Sequence, residues 1–154
     1  MASENNASDT IDSGVLNELV GYRLRRAQLV YFNSFASTCA DLGISPGLFG
    51  VIEIVQKNPG LTQSAVAQAL GNDRSAMVAA IDKLEKLNLI ERRRTAQDRR
   101  SYALYLTQHG NEYYQEISDK VRAHEESFYG LMKQGEREYL LDILARLAEC
   151  EPVR

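Results

Sequence analysis

Between Leu61 and Thr107 the order of local signals leaves few folds open. Thr62 is placed to cap a helix over Gln63–Leu70, in which Ala65, Val66, Ala67, Ala69 and Leu70 form a compact packing surface, and Gly71 supplies the turn. Asp73, or Asn72 before it, caps a second helix that continues to Leu87 with Met77, Ala80, Ile81 and Leu84 on its inner face. Asn88 follows, a residue that tolerates the left-handed conformation helix ends often need. Leu89–Arg93 and Ser101–Leu106 then pair as antiparallel strands around the tip Thr95-Ala96-Gln97-Asp98-Arg99-Arg100. Helix, turn, helix and hairpin in that order predict a winged helix-turn-helix. In such a unit one helix fills a major groove of duplex DNA while the β-ribbon reaches the neighbouring groove or the backbone.

Charge supports that reading. From Arg74 to Arg100 eight basic residues stand against four acidic ones, a local +4 in a chain of 154 residues whose formal total is -3, which leaves the remainder at -7. Positive charge is therefore concentrated where a polyanion docks, and the acidic balance elsewhere argues against indiscriminate coating of nucleic acid. On the outer face of the second helix lie Ser75, Val78, Ala79, Asp82 and Lys86, flanked by Arg74 and Lys83. Arg74 and Ser75 are near its start, where side chains and free amides meet base edges and phosphates. Val78 and Ala79 are either ordinary exposed apolar surface or contacts for thymine methyl groups. Lys83 and Lys86 suit phosphates when they are not simply solvated, and Gln63 and Ser64 are placed to hold the backbone in register. At the hairpin tip, with Arg99 beside it, Asp98 either orients Arg100 by a bidentate pair or closes the turn.

The flanks read as an assembly element. Met1–Asp12 is polar and predicts a disordered tail. From Ser13, as cap, one long helix is expected to about Asp41, with Leu16, Val20, Leu24, Ala27, Tyr31 and Phe35 on one side and Leu19, Tyr22, Leu29 and Val30 nearly opposite. A helix apolar on both sides needs burial on both sides, which a partner subunit provides. Ser45-Pro46 starts a helix over Gly47–Lys57. After Thr107, itself a cap, Tyr114, Ile117, Val121, His124, Phe128 and Leu131 form a heptad-like seam in a helix over Gly110–Met132, and a last helix spans Glu136–Cys150. The expected division is thus a tail at 1–12, a dimerisation helix at 13–42, a DNA-binding lobe at 44–107 and dimerisation helices at 108–150. The fold class is mainly α.

Several functions are disfavoured. No phosphate loop, nucleophile elbow or paired histidines are present, so catalysis is not expected. Cys39, Cys150, His109 and His124 are not at metal-ligand spacing, and neither a cofactor nor a metal is predicted. No apolar run is long enough to span a bilayer and no secretory signal is visible, which makes a cytoplasmic location the expectation.

The residues Leu70-Gly71-Asn72-Asp73-Arg74-Ser75, Ile81-Asp82-Lys83-Leu84-Glu85, Leu89-Ile90-Glu91-Arg92, Asp98-Arg99-Arg100 and Leu106-Thr107-Gln108-His109-Gly110 resemble the MarR family of winged-helix regulators. The resemblance implies a homodimer that binds a pseudo-palindrome in double-stranded DNA, usually represses, and is released by a small-molecule effector, often an aromatic acid, bound between the dimer and DNA lobes. Asp98 and Arg100 match the family's wing motif. Asn88 stands where the family commonly has Gly, and Val78 and Ala79 occupy a stretch that is often more polar.

For control, Arg26 lies beside Leu19, Tyr22 and Leu29. A buried arginine there needs an anion, either a carboxylate of another helix or that of an aromatic acid held with Tyr22 and Phe49, with Arg23 as a second candidate. His124 is a hydrogen-bonded core histidine or lines the same pocket. Two alternatives remain, a redox-responsive regulator acting through Cys39 and a winged-helix module that binds only protein.

Overall fold

The computed structural model describes residues 11–96 and 101–149. The polar start up to residue 10, the wing tip at 97–100, which includes Asp98, Arg99 and Arg100, and Cys150 with the residues after it lie outside the described residues. Six α-helices and a two-stranded antiparallel sheet follow one another: α1 (Val20–Thr38), α2 (Pro46–Lys57), α3 (Gln63–Leu70), α4 (Arg74–Lys86), β1 (Ile90–Arg94), β2 (Tyr102–Leu106), α5 (Gln108–Tyr129) and α6 (Glu136–Ala148). Among the described residues no helix is long and apolar enough to cross a membrane.

The helix starts follow from local chemistry. Ser45, Thr62, Asp73 and Thr107 each sit in extended backbone and accept a hydrogen bond on the side chain from an N–H of the first turn, those of Leu48, Ala65, Ala76 and Gly110. Gly43 and Gly71 end their segments at φ 65°, in the left-handed region where a Cβ is costly. Asn88 adopts the same region at φ 54°, as its side chain allows.

α2 is the centre of the core. Its Leu48, Val51, Ile52 and Val55 are buried against Val66 and Ala67 of α3, Met77, Ile81 and Leu84 of α4, Leu104 and Leu106 of β2, and Ile117 of α5. Full burial of each such side chain contributes roughly 1.5–3 kcal/mol, so this one helix ties the lobe to the long α5. The strands pair Ile90 with Leu106, Arg92 with Leu104 and Arg94 with Tyr102. The α2–α3 connection also joins the sheet. Gly60 N–H donates to Leu104 O at 2.9 Å, Leu104 N–H donates to Leu61 O at 2.9 Å, and Thr62 bridges Ala103. The wing is thereby anchored to the start of α3.

The first helix is not continuous from Ser13. A 3-10 turn over Gly14–Glu18 precedes α1, Leu19 is extended at φ -85° and ψ 121°, and a further 3-10 turn covers Ala40–Leu42. Gly14, at φ 50°, is incompatible with an α-helical start, and Ser13 caps nothing through its side chain; Asp12 Oδ1 instead accepts from Gly14 N–H at 2.8 Å. The strands begin one residue later than their apolar pattern suggests, and α5 stops at Tyr129, so Leu131 leaves the seam and is 82% exposed. The seam itself is otherwise a core feature. Ile117, Val121 and His124 are buried, and Tyr114 and Phe128 are half-buried.

The terminal helices are different. Within one chain only Phe35 of α1 is buried, and no residue of α6 is. Leu19, Val20, Leu24, Leu29, Val30 and Phe32 of the first segment, with Tyr139, Leu140, Leu141, Leu144 and Leu147 of α6, remain exposed.

Candidate nucleic-acid interface

α4 presents two faces. Met77, Ile81 and Leu84 point into the core, while Arg74, Ser75, Val78, Ala79, Lys83 and Lys86 are exposed, Val78 at 41%. Between the starts of α3 and α4 lies a notch of about 270 Å³ walled by Gln63, Ser64, Arg74 and Val78, with Ala67 and Met77 as its floor. It brings together four of the predicted DNA-contacting residues beside the first-turn amides of two helices, which favour anions.

The charges do not act as a uniform patch. Arg92 of β1 turns inward. Its guanidinium donates from Nη2 to Asp82 Oδ1 at 2.7 Å, from Nη1 to Glu85, and from Nε to Gln63 Oε1 at 3.3 Å, while its backbone N–H donates to Glu85 Oε1 at 3.2 Å. Arg93 pairs with Glu91 and stacks over the Tyr105 ring at 4.2 Å. Two of the eight basic residues are thus committed to carboxylates. Arg74, Lys83, Lys86 and Arg94 form no ion pair among the described residues. Pairing by Arg92 and Arg93 also removes Asp82, Glu85 and Glu91 as free negative charges near that surface, which leaves Lys83 and Lys86 less opposed.

The predicted control residues fall in three places. Tyr22, Arg23 and Arg26 lie on the N-terminal half of α1. Arg26 is exposed rather than buried; its Nη1 donates to Tyr22 Oη at 3.3 Å and no carboxylate is in ion-pair reach among the described residues, so the internal salt bridge is not formed. Arg23 Nε donates to Asn17 O at 3.0 Å. Phe49 is half-buried on α2, beside a groove of about 420 Å³ shared with Glu53, Lys57, Tyr114 and Arg122, where Tyr114 Oη donates to Glu53 at 2.5 Å. His124 is buried on α5, its Nε2 3.1 Å from Ser34 Oγ, among the rings of Tyr31 at 4.8 Å, Phe128 at 5.1 Å and Phe35 at 5.3 Å. One chain therefore does not bring all five together. Nearby, a largely apolar cavity of about 400 Å³ separates α1, α5 and α6, with the Tyr31–Glu125 hydrogen bond on its wall. Burial and that carboxylate push the Tyr31 hydroxyl far above the ordinary phenol range.

Cys39 caps the end of α1 and is completely buried. Burial pushes its thiol up, an effect the neighbouring Lys120 only partly offsets. A reactive thiolate needs the opposite environment, so the structure removes the physical basis for a redox role at this residue.

An amphipathic helix with an exposed cationic face, preceded by a tight turn and followed by a β-wing bolted to it, defines a winged helix-turn-helix DNA-binding transcriptional regulator. The model of the MarR family matches residues 42–101. A transcriptional regulatory protein for the hcr operon of Thauera aromatica is 36% identical over 141 residues, covering 91% of this chain and 84% of that protein. The chain belongs to the MarR family. Among solved structures, the transcriptional repressor CouR bound to a 23-mer DNA duplex superposes with a TM-score of 0.85 at 36% identity over 90% of this chain and 99% of that one. CouR bound to p-coumaroyl-CoA gives 0.84 at 34% identity, over 90% and 98% of the two chains.

Proposed function

We propose that this chain is a cytoplasmic repressor that binds a pseudo-palindromic operator as a homodimer and leaves it when an aromatic acid or its thioester binds. Residues 44–107 act as the DNA-binding lobe, and 13–42 with 108–150 as the dimerisation module. The observation that carries the reading is the outer face of α4, where Arg74, Lys83 and Lys86 are exposed and form no ion pair among the described residues around a Ser75, Val78 and Ala79 surface. Arg74 and Ser75 meet base edges, Val78 and Ala79 meet thymine methyls, and Lys83, Lys86, Gln63 and Ser64 meet the backbone. Asp98, Arg99 and Arg100 carry the wing contact in the neighbouring groove. The likeness to CouR in its DNA-bound form supports this assignment.

For the effector, the likeness to CouR bound to p-coumaroyl-CoA favours an aromatic acyl thioester or its free acid. Half-buried Tyr22 and exposed Arg23 and Arg26 form an aromatic and cationic patch on α1, and Phe49 and His124, apart from it within one chain, are the further candidates on α2 and α5. In the dimer this patch receives the ring and the anionic group of the ligand. The test is a titration of the purified protein against its own upstream DNA over a series of salt concentrations. Affinity falls steeply with salt, and Lys86→Ala, which removes one phosphate contact from each subunit of the dimer, lowers the slope of log K against log salt by about 1.8. A protein that binds no duplex at low salt disposes of the reading.

A further inference from the structure

The Arg92 side chain is the only described arginine gripped by groups from two other elements at once, Gln63 of α3 and both Asp82 and Glu85 of α4. Its side chain is 18% exposed although its neighbours in the strand, Arg93 and Arg94, are exposed. A guanidinium surrounded by two carboxylates and an amide oxygen has little donor capacity left for a phosphate. Asp82 and Glu85 stand one helical turn apart, so the planar fork spans them and fixes the direction in which β1 leaves α4. Gln63, the first residue of α3, is held to the same cation.

From this geometry we infer that Arg92 is a positioning residue. It locks the wing strand, the recognition helix and the start of α3 into one unit of fixed angle, and it neutralises the two carboxylates of α4 that otherwise repel the phosphates beside Lys83 and Lys86. It contributes to DNA binding without touching DNA. The inference rests on the DNA-binding reading above and adds to it a residue that charge counting cannot tell from a phosphate contact. Without Arg92 the wing swings relative to α4, the outer contact loses register, and Asp82 and Glu85 face the polyanion unpaired.

The test uses the full-length protein, a duplex selected from a random pool by the wild type, and the variants Arg92→Met, Glu85→Gln, Lys86→Ala and the triple Arg92→Met, Asp82→Asn, Glu85→Gln. Binding is measured over a potassium chloride series, with hydroxyl-radical footprinting of each complex. Arg92→Met weakens binding about tenfold or more at fixed salt, keeps the wild-type salt slope, and loses the flanking protections of the wing while keeping the central ones of α4. The triple variant recovers part of the affinity but not the flanking protections. Glu85→Gln, which leaves Asp82 and Gln63 in place, shows a smaller loss of the same kind and keeps the question answerable if Arg92→Met fails to fold. A slope reduced by about 1.8, one phosphate contact per subunit, in Arg92→Met makes Arg92 a phosphate contact and overturns the inference, as do flanking protections that survive its loss. An unchanged slope in Lys86→Ala counts instead against Lys86 as a phosphate contact, so the two readings fail separately.

Discussion

Gly110 shows how a single atom fixes the hinge between wing and α5. A Cβ built there lies 2.0 Å from the Leu89 carbonyl oxygen, a backbone atom held in place because the same carbonyl accepts from Thr107 N–H at 3.1 Å. Thr107 Oγ1 also donates to Asn88 O at 2.5 Å and accepts from Gly110 N–H at 2.8 Å, so the junction has no room to give. Gly110→Ala therefore destabilises the fold by about 3 kcal/mol, measured by urea unfolding. Gly130→Ala is the control. There an added Cβ meets nothing nearer than 3.7 Å in a right-handed helical conformation, and the change is neutral or stabilises by up to about 1 kcal/mol. Cys39 makes the complementary point for chemistry. Its thiol stays protonated in the folded chain because burial raises it, whereas an unfolded thiol ionises near pH 8.5. The folded state then holds the extra proton, so stability is unaffected below that range and falls as pH rises through it. Thiol reagents label Cys39 only as fast as the chain opens, and peroxide leaves operator binding unchanged; rapid labelling of the folded dimer contradicts this account.

Among the elements, what was legible in the sequence is what is decided locally. Ser45, Thr62, Asp73 and Thr107 act within three residues of their own position, and each cap forms where the residue order places it. The inner face of α4 is equally local, since a period of 3.6 residues alone puts Met77, Ile81 and Leu84 together. The role of Arg92 was not legible for the opposite reason, and the sequence showed it only as one of eight basic residues. Its partners lie on other elements, Gln63 twenty-nine residues away, and a run of three arginines looks the same whether its first member points to solvent or into a carboxylate fork. The burial expected of Arg26 differs for a similar reason, because an apolar stripe says that a face will be covered, but not within which chain. The exposed leucines of α1 and α6 leave a testable consequence at this scale. Leu141→Glu with Leu147→Glu places two charges on a face of α6 that one chain leaves open, so helix content by circular dichroism is preserved. Sedimentation finds a monomer, and affinity for a two-half-site duplex drops about a hundredfold or more because the second lobe is no longer tethered to the first. A dimer that persists in this variant moves the assembly surface elsewhere.

For the whole molecule, the separation of charge and of apolar surface sets how the two ligands communicate. The chain is acidic in total, yet Arg74, Lys83, Lys86 and Arg94, which form no ion pair among the described residues, gather on α4 and the wing strand of one lobe, while the Tyr22, Arg23 and Arg26 patch lies on the helix proposed to join the subunits. α2 and α5 connect these regions through a continuous core, with Ile52, Val55 and Ile117 fully or almost fully buried. A ligand that changes the relation of α1 to α2 therefore changes the separation of the two α4 helices across the dimer, and operators with half-sites about one duplex turn apart register that change as lost affinity. Such coupling is reciprocal by thermodynamic necessity. If an aromatic thioester weakens operator binding by a given factor, saturating operator weakens thioester binding by the same factor. Calorimetric titration of the thioester into free dimer and into the dimer–operator complex measures both sides of that cycle. Arg26→Ala, at an exposed position where the fold loses little, weakens the thioester about tenfold or more in both titrations and leaves the affinity of the ligand-free dimer for operator unchanged. Equal thioester affinity in Arg26→Ala and wild type removes Arg26 from the effector site, and equal affinity with and without operator removes the coupling itself.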